Sequence, residues 1–421
     1  MASDIAIIGA GYVGLPLAVA FGQAGLRVHC IDTDEAKVRA ISQGESYIPD
    51  VSTDDLRPLV ETGMLTASAD PAAVADVRAI LICVPTPLSE NREPDVSIIA
   101  AAAAAIAPHL QRDQLVVLES TTYPGTTREL LAPVLEQSGL RAGVDFHLAM
   151  SPERIDPGRT DFTVRTTPKV VGGLTPACAE RAKELYLLCV DTIVPVSSPD
   201  AAELVKLLEN IFRSVNIALV NELAMLCDRL GLDVWEVIDA AATKPYGFMR
   251  FTPGPGLGGH CIPIDPFYLS WRARQFDFQT EFIELAGKVN TSMPYFCAER
   301  IAHALNSVRK AVNGSRILVL GVSYKPDVGD VRESPALKLI ELLGGLGASI
   351  AYHDPHVPDL RDEGLGLRSV DLDDGAVESA DIVCVVTAHS GIDYGRLAER
   401  SQLLFDFRNT VPRIDERVHT L

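Results

Sequence analysis

Asp4-Ile5-Ala6-Ile7-Ile8-Gly9-Ala10-Gly11-Tyr12-Val13-Gly14 is the stretch that decides the fold. A short apolar run ends in a GxGxxG turn. Residues 15–24 then read as a helix closed by Gly25, and 26–31 as a second strand ending at Asp32. Strand, glycine turn, helix, strand and acidic residue within about 30 residues make the βαβ pattern of a dinucleotide-binding unit. Gly9 makes the tight turn, Gly11 lets the backbone approach a pyrophosphate, and Gly14 lets the helix pack on the strand. The helix N-terminus faces the phosphates. Asp32 is placed to accept hydrogen bonds from a ribose diol and would repel a 2′-phosphate, which predicts NAD rather than NADP.

More βα units follow. Residues 79–84 read as a buried strand ending in Pro85-Thr86-Pro87, and Asp95 is placed to cap a helix through the alanines 100–105. Residues 114–119 form a strand running into Ser120-Thr121-Thr122-Tyr123-Pro124-Gly125, and 146–150 one running into Ser151-Pro152-Glu153-Arg154. Ligands of open parallel sheets sit beyond the carboxyl ends of strands. Thr86, Thr121 and Glu153 are therefore site candidates, with helix capping as the competing role.

Residues 195–199 mark a boundary. Residues 200–230 contain neither Pro nor Gly and carry a helical apolar pattern, giving a helix of roughly 45 Å. Lys206 and Asn210 share a face of it, either solvated or as a polar stripe pointing inward. Asn216 and Asn221 lie in its most apolar part and are expected to satisfy each other or nearby backbone groups. Helices at 233–242, 266–275 and 280–290 make this middle part all-helical. Residues 310–315 are a second linker. Strands at 316–321, 348–352, 380–387 and 403–406, with a helix at 334–343, then repeat the first plan without its glycine fingerprint. Lys325 and Arg332, at a strand end and near a helix start, suit an anionic ligand, and Arg408 follows another strand end.

The chain of 421 residues is too long for one ordinary core, and its composition, 47% hydrophobic and 22% charged, is that of a globular protein. A net charge of −19 argues against nucleic acid and anionic membranes as partners. The apolar runs fall short of the roughly 20 residues a membrane helix needs. The eight cysteines show no paired metal spacing and no CxxC, so no metal is expected and a reducing, cytoplasmic location fits.

Seven of those cysteines fall in apolar surroundings and read as small buried hydrophobes: Cys30, Cys83 and Cys384 in strands, Cys178, Cys227 and Cys297 in helices, Cys189 at a strand start. Cys261 differs. It lies in Gly254-Pro255-Gly256-Leu257-Gly258-Gly259-His260-Cys261-Ile262-Pro263-Ile264-Asp265-Pro266, a loop whose glycines allow a ligand to come near. A nearby Lys206 favours its thiolate. Beside a hydride acceptor such a thiolate can add to an aldehyde, and the thiohemiacetal can be oxidised to a thioester that water cleaves. His260 points the other way from its neighbour in an extended loop and is read as a supporting group.

The segments GAGYVGLPLA (9–18), VPTPL (84–88), ESTTYPGTT (119–127), SPERIDPG (151–158), KLLENIFRSVNIALVNELA (206–224), GPGLGGHCIPIDP (254–266) and LGVSYKPDVGDVRESPA (320–336) together resemble the nucleotide-sugar dehydrogenases related to UDP-glucose and GDP-mannose dehydrogenases, over nearly the whole chain. The resemblance implies an α/β fold of two Rossmann-like doubly wound domains joined by a central helical domain with a long helix. The expected domains are 1–197 for NAD, 198–308 for dimerisation and the catalytic loop, and 309–421 for the UDP-sugar. It implies oxidation of a sugar C6 alcohol to a carboxylate with two NAD. By position, Cys261 resembles the thioester nucleophile and Lys206 the group that stabilises oxyanions, with Asn210 beside it. Asp265 and Thr121 resemble groups that position or activate water, and Glu153 the acid/base of thioester hydrolysis. Gly9, Gly11, Tyr12, Val13, Gly14, Asp32, Lys37, Pro85, Thr86, Thr121 and Arg332 fall on the cofactor side. Glu153, Arg154, Lys206, Asn210, Arg250, Gly258, Lys325 and Arg408 fall on the substrate side. Pro157 and Ile264 stand where UDP-glucose enzymes carry a glutamate and a lysine. That difference points to UDP-N-acetylhexosamines, with UDP-N-acetylglucosamine first, UDP-N-acetylmannosamine second and UDP-glucose third. A homodimer or larger homo-oligomer through the long helix is implied.

Overall fold

The computed structural model describes residues 3–48, 50–89, 93–154, 162–259 and 262–421. The chain forms two compact units, Met1–Glu209 with Phe267–Phe278, and Asn210–Pro266 with Gln279–Leu421. The helices Pro199–Leu230 and Asp265–Arg274 each contribute to both.

The first unit is built on β1 (Ile5–Ile8), β2 (Val28–Ile31), β3 (Leu65–Ser68), β4 (Ala79–Ile82), β5 (Leu115–Leu118), β6 (His147–Met150), β7 (Lys169–Gly173) and β8 (Ile193–Val196). Their order is β3-β2-β1-β4-β5-β6-β7-β8, and only the β6–β7 pair is antiparallel. Side chains alternate between faces. Ile5, Ile7, Leu81 and Val117 pack on one side with Leu15, Leu17 and Phe21 of the helix Gly14–Gln23. Ala6, Ile8, Ile80, Ile82 and Val116 pack on the other with Ile99 and Ala103 of the helix Ser97–Ile106. Burial on both faces explains the unbroken apolar runs. Strand order reverses between β1 and β4, so their carboxyl ends frame the crevice of a doubly wound sheet. Asp95 accepts from the Ser97 amide at 2.9 Å, as its predicted capping role requires. Pro195 is tolerated because β8 is an edge strand.

The second unit holds β9 (Arg316–Leu320), β10 (Ser349–His353), β11 (Ile382–Val385), β12 (Leu404–Asp406) and β13 (Val418–Thr420), all parallel in the order β10-β9-β11-β12-β13. Its switch point lies between β9 and β11. The helix Pro335–Gly345, started by a Ser334 cap, covers one face together with Cys297, Ile301 and Leu305.

Two expectations need correction. The helix expected to stop near 290 runs Glu281–Ser307 through Pro294. Its apolar register continues as Ala286, Met293, Cys297, Ile301 and Leu305, and that burial outweighs the hydrogen bond Pro294 cannot donate. Of the two roles open to Asn216 and Asn221, bonding to backbone groups is the one seen, and they do not bond each other. Asn216 donates to the Phe212 carbonyl, whereas Asn221 is buried, donates to Asn290 at 2.9 Å and accepts from the Gly254 amide at 3.0 Å. Cys189 lies in the turn after the helix Pro176–Tyr186, ahead of β8. The seven described cysteines are all buried free thiols. Among the described residues, no helix is long and apolar enough to cross a membrane.

Candidate active site

Two of the three fingerprint glycines answer to the chain itself. Gly9 has φ +92°, and a Cβ there would lie 2.7 Å from the Cys83 carbonyl oxygen. A Cβ on Gly14 would collide with the Gly9 carbonyl oxygen. A Cβ on Gly11 would meet no atom of the chain within 4 Å, so no packing within the chain demands glycine there. No side chain caps the helix that begins at Gly14. The Leu15 amide donates to the Gly11 carbonyl at 3.1 Å and Pro16 has no amide hydrogen, so the amides an anion can use are those ahead of Leu15. Asp32 Oδ2 accepts from the Ala10 amide at 2.8 Å and Oδ1 from the Asp34 amide at 2.9 Å, while Lys37 Nζ stands 3.5 Å from Oδ2. Tyr12 is exposed and Val13 partly so. Pro85 and the buried Thr86 follow β4, where the Tyr268 hydroxyl donates to the Thr86 carbonyl at 2.8 Å. These residues fit a dinucleotide.

A second cluster lies at the ends of β5, β6 and β7. Lys169 Nζ is 2.8 Å from Glu119 Oε2 and 3.5 Å from Glu153 Oε2, and Tyr186 donates to Glu119 Oε1. Glu119, Lys169 and Tyr186 are buried. Burial raises Glu119 above the usual carboxylate range, with Lys169 opposing. Burial alone would lower Lys169, but the two carboxylates outweigh it and hold the ammonium above its ordinary value. Arg154 donates its amide to Glu153 Oε1 at 2.7 Å, and its guanidinium pairs with Glu209 at 2.7 Å.

Thr121 is partly exposed at the start of a loop that is gripped from below. Glu203, 1% exposed, accepts from the Gly125 amide at 2.6 Å, the Thr127 amide at 2.8 Å and the Thr127 hydroxyl at 2.7 Å. Burial pushes its carboxyl up to about 7 against the pull of those donors. Glu203, Lys206 and Asn210 lie along one side of their helix. Glu203 and Asn210 are buried and Lys206 partly so, which favours the inward polar stripe over the solvated reading.

In the second unit, Asn210 Nδ2 donates to Asp265 Oδ2 at 2.5 Å, and both residues are buried. His260 and Cys261 lie outside the described residues, as does Pro157. The glycines before Cys261 call for a correction. What their backbone approaches is the chain itself. A Cβ on Gly254 would lie 2.5 Å from Arg408 Nη1, one on Gly256 3.1 Å from the Asn290 carbonyl oxygen, and one on Gly258 2.6 Å from Tyr324 Cβ. The Gly259 amide donates to the Arg332 carbonyl at 3.0 Å. The Arg332 guanidinium is held by Asp330, Arg250 pairs with Asp239 at 2.7 Å, and Arg408 Nε donates to the Val386 carbonyl at 2.6 Å. Ser323 Oγ donates to the Lys325 carbonyl at 2.9 Å.

Lys169 and Glu203 escaped the sequence reading. A charged residue opening a strand as apolar as Lys169-Val170-Val171, or standing three residues before Lys206 in an apolar helix, was the available signal.

A glycine-turn crevice with an acidic residue at the next strand end, followed by a second nucleotide-type sheet, defines a dinucleotide-dependent dehydrogenase. Three domain models of one family match in order: the NAD binding domain over 3–190, the central domain over 200–292 and the UDP binding domain over 318–413. The chain belongs to the UDP-glucose/GDP-mannose dehydrogenase family, and it is an NAD-dependent oxidoreductase of nucleotide sugars. It is 34% identical over 413 residues to a UDP-N-acetyl-D-mannosamine dehydrogenase of Pyrococcus horikoshii, covering 97% of this chain and 96% of that one. It is 37% identical over 413 residues to an NDP-N-acetyl-D-galactosaminuronic acid dehydrogenase of Ralstonia nicotianae, covering 94% of each. The solved structure of the UDP-D-ManNAc dehydrogenase from Pyrococcus horikoshii superposes with TM-score 0.90 at 33% identity, over 99% of this chain and 98% of that one.

Proposed function

We propose that the chain oxidises the C6 hydroxymethyl of a UDP-N-acetylhexosamine to a carboxylate, with two NAD consumed and Cys261 as the covalent nucleophile. NAD, when bound, supplies the hydride acceptor for both oxidations. The Cys261 thiolate adds to the aldehyde carbon. Loss of the second hydride turns the thiohemiacetal into a thioester, and water releases the acid and the thiol. Lys206 and Asn210 stabilise the oxyanions, Asp265 and Thr121 position or activate the water, and Glu153 is the acid/base of hydrolysis. Lys325, Arg408, Arg154, Arg250 and Gly258 belong to the substrate side, and Arg332 to the cofactor side. The observation that carries this reading is the buried Asn210–Asp265 hydrogen bond, which joins two residues 55 apart to which the family resemblance gives roles in the same chemistry.

Pro157 and Ile264 put UDP-N-acetylglucosamine first. The names of the relatives favour a second reading, UDP-N-acetylmannosamine. Domains of 1–197, 198–308 and 309–421, a cytoplasmic location and a homodimer complete the proposal. Leu208, Leu219, Leu226 and Leu230 are exposed along one side of the helix Pro199–Leu230, an apolar face that a second copy would cover.

The test is a panel of UDP-N-acetylglucosamine, UDP-N-acetylmannosamine, UDP-N-acetylgalactosamine, UDP-glucose and GDP-mannose, with NADH counted per sugar. Two NADH per acid is expected, and Cys261→Ser should bind NAD yet make no acid. One NADH per turnover, or full acid production by the Ser variant, would refute the covalent course.

A further inference from the structure

At the switch point of the second sheet, the turn after β9 is tied down from below by a buried dyad. Asp354, at the end of β10, is 2% exposed. Its Oδ2 accepts from the Val322 amide at 2.8 Å and the Ser323 amide at 3.1 Å, and its Oδ1 from the amides of His356 at 2.8 Å and Val357 at 3.1 Å. His389, past the end of β11 and 1% exposed, places Nε2 3.0 Å from the same Oδ2. Its Nδ1 lies 3.0 Å from the Asp327 amide. A backbone amide can only donate, so Nδ1 carries the lone pair and Nε2 carries the proton that Asp354 accepts. The dyad therefore selects one tautomer, and that tautomer is the one able to hold the Asp327 amide.

That hydrogen bond closes the segment carrying Lys325. Thr387 Oγ1 donates to the Ser323 carbonyl at 2.7 Å, Ser323 Oγ to the Lys325 carbonyl at 2.9 Å, and the Ser390 amide to Asp327 Oδ1 at 2.8 Å. Asp327 itself has φ +61°, a left-handed conformation that Asp tolerates better than most non-glycine residues. Ligand atoms of Asp327, His356 and His389 also come within 4.8 Å of one another, a spacing that a metal ion could use. The single in-plane lone pair of His389 Nδ1 is already committed to the Asp327 amide, which favours a hydrogen-bonded lock over a metal centre.

We propose that His389, held in one tautomer by Asp354, is a positioning residue that fixes the 323–327 turn so that Lys325 is presented to the diphosphate of the nucleotide sugar. This rests on the reading of Lys325 as a UDP ligand. His389 acts through the Asp327 amide, with Ser323 Oγ of the same turn 3.4 Å from its Nε2.

The experiment is calorimetric titration of the full-length protein with UDP and, separately, with NAD. Loss of one net hydrogen bond predicts about 5- to 10-fold weaker UDP binding in His389→Ala, with NAD affinity unchanged. His389→Asn places an acceptor oxygen near the Nδ1 position and should recover most of the UDP affinity. His389→Gln places its amide near Nε2 and should not. A merely structural histidine would move both variants together. The NAD titration reports on the first unit and a thermal melt on the folding of the whole chain, and the Asn variant carries the test should the Ala variant fail to fold. Unchanged UDP binding in folded His389→Ala, alongside weakened binding in Lys325→Ala, overturns the positioning role. Unchanged binding in Lys325→Ala overturns the reading of Lys325, and the positioning role with it. Loss of UDP binding by the wild type in a chelator would mean a metal centre and would overturn it too.

Discussion

The Lys169 ammonium lies 2.8 Å from the Glu119 carboxylate at the buried ends of β5 and β7, and it reaches Glu153 with the same nitrogen at 3.5 Å. One cation therefore serves two carboxylates. Its removal leaves the buried Glu119 and the partly buried Glu153 without their shared counter-charge, which favours protonation of a carboxyl. Lys169→Met should shift the acidic limb of the pH–kcat profile upward by about 1–3 pH units, because losing an opposite charge raises a carboxyl's proton affinity. Lys169→Arg should restore most of it. Stability should fall by roughly 3–5 kcal/mol, the cost of breaking a buried pair. An unmoved limb in a folded variant would mean that Glu153 is not the group that titrates.

Gly14 and Gly11 should fail differently. Gly14→Ala forces a methyl into the Gly9 carbonyl and should cost soluble yield and melting temperature even without cofactor. Gly11→Ala meets nothing in the chain and should melt like wild type, yet bind NAD at least about tenfold more weakly where the pyrophosphate must approach. Thermal melts with and without NAD separate the two.

Glu203 gives stability a pH dependence of definite sign. Burial raises its carboxyl from 4.5 to about 7, so between those values the native state binds more protons than the unfolded one. Stability is thus lost as pH rises through that window, by up to roughly 3 kcal/mol. Glu203→Gln should remove this component, gaining on wild type as pH rises from 5 to 8. Urea midpoints of both proteins check it, and a pH-independent difference between them would contradict it.

Asn221 and Asn290 act as a unit. Asn290 Nδ2 also donates to the Ser214 carbonyl at 3.1 Å, so the pair satisfies buried polar groups on two helices and on the glycine loop. Asn221→Leu strands the Gly254 amide and should cost about 2–4 kcal/mol in urea denaturation. The Asn221→Leu/Asn290→Leu double variant should lose less than the sum of the singles.

Much of the fold was legible because its signals are local. The glycine spacing, the acid closing β2, the doubly buried strands and the uninterrupted helix each lie within a few dozen residues. Signals that depend on distant partners were silent. Lys169 meets Glu119 50 residues away, Glu203 meets Thr127 76 residues away, and Asn221 meets Asn290 69 residues away. No periodicity announces such pairs. The glycines before Cys261 announced a close approach but not its object. The helix expected to stop near 290 runs on to Ser307 because its apolar face is settled by tertiary packing, which no local propensity reports.

Asp354 repeats the position of Asp32 at the end of a second strand, but four backbone amides and His389 already occupy it, and its side chain is wholly covered. Asp32 takes two amides and keeps 9% of its side chain in the open. The C-terminal sheet thus has the frame of a dinucleotide fold with the acid at the matching strand end already committed within the chain. Compounds patterned on the adenosine half of the cofactor should therefore distinguish sharply between two sheets of common plan, and inhibitors of the two halves can be developed independently.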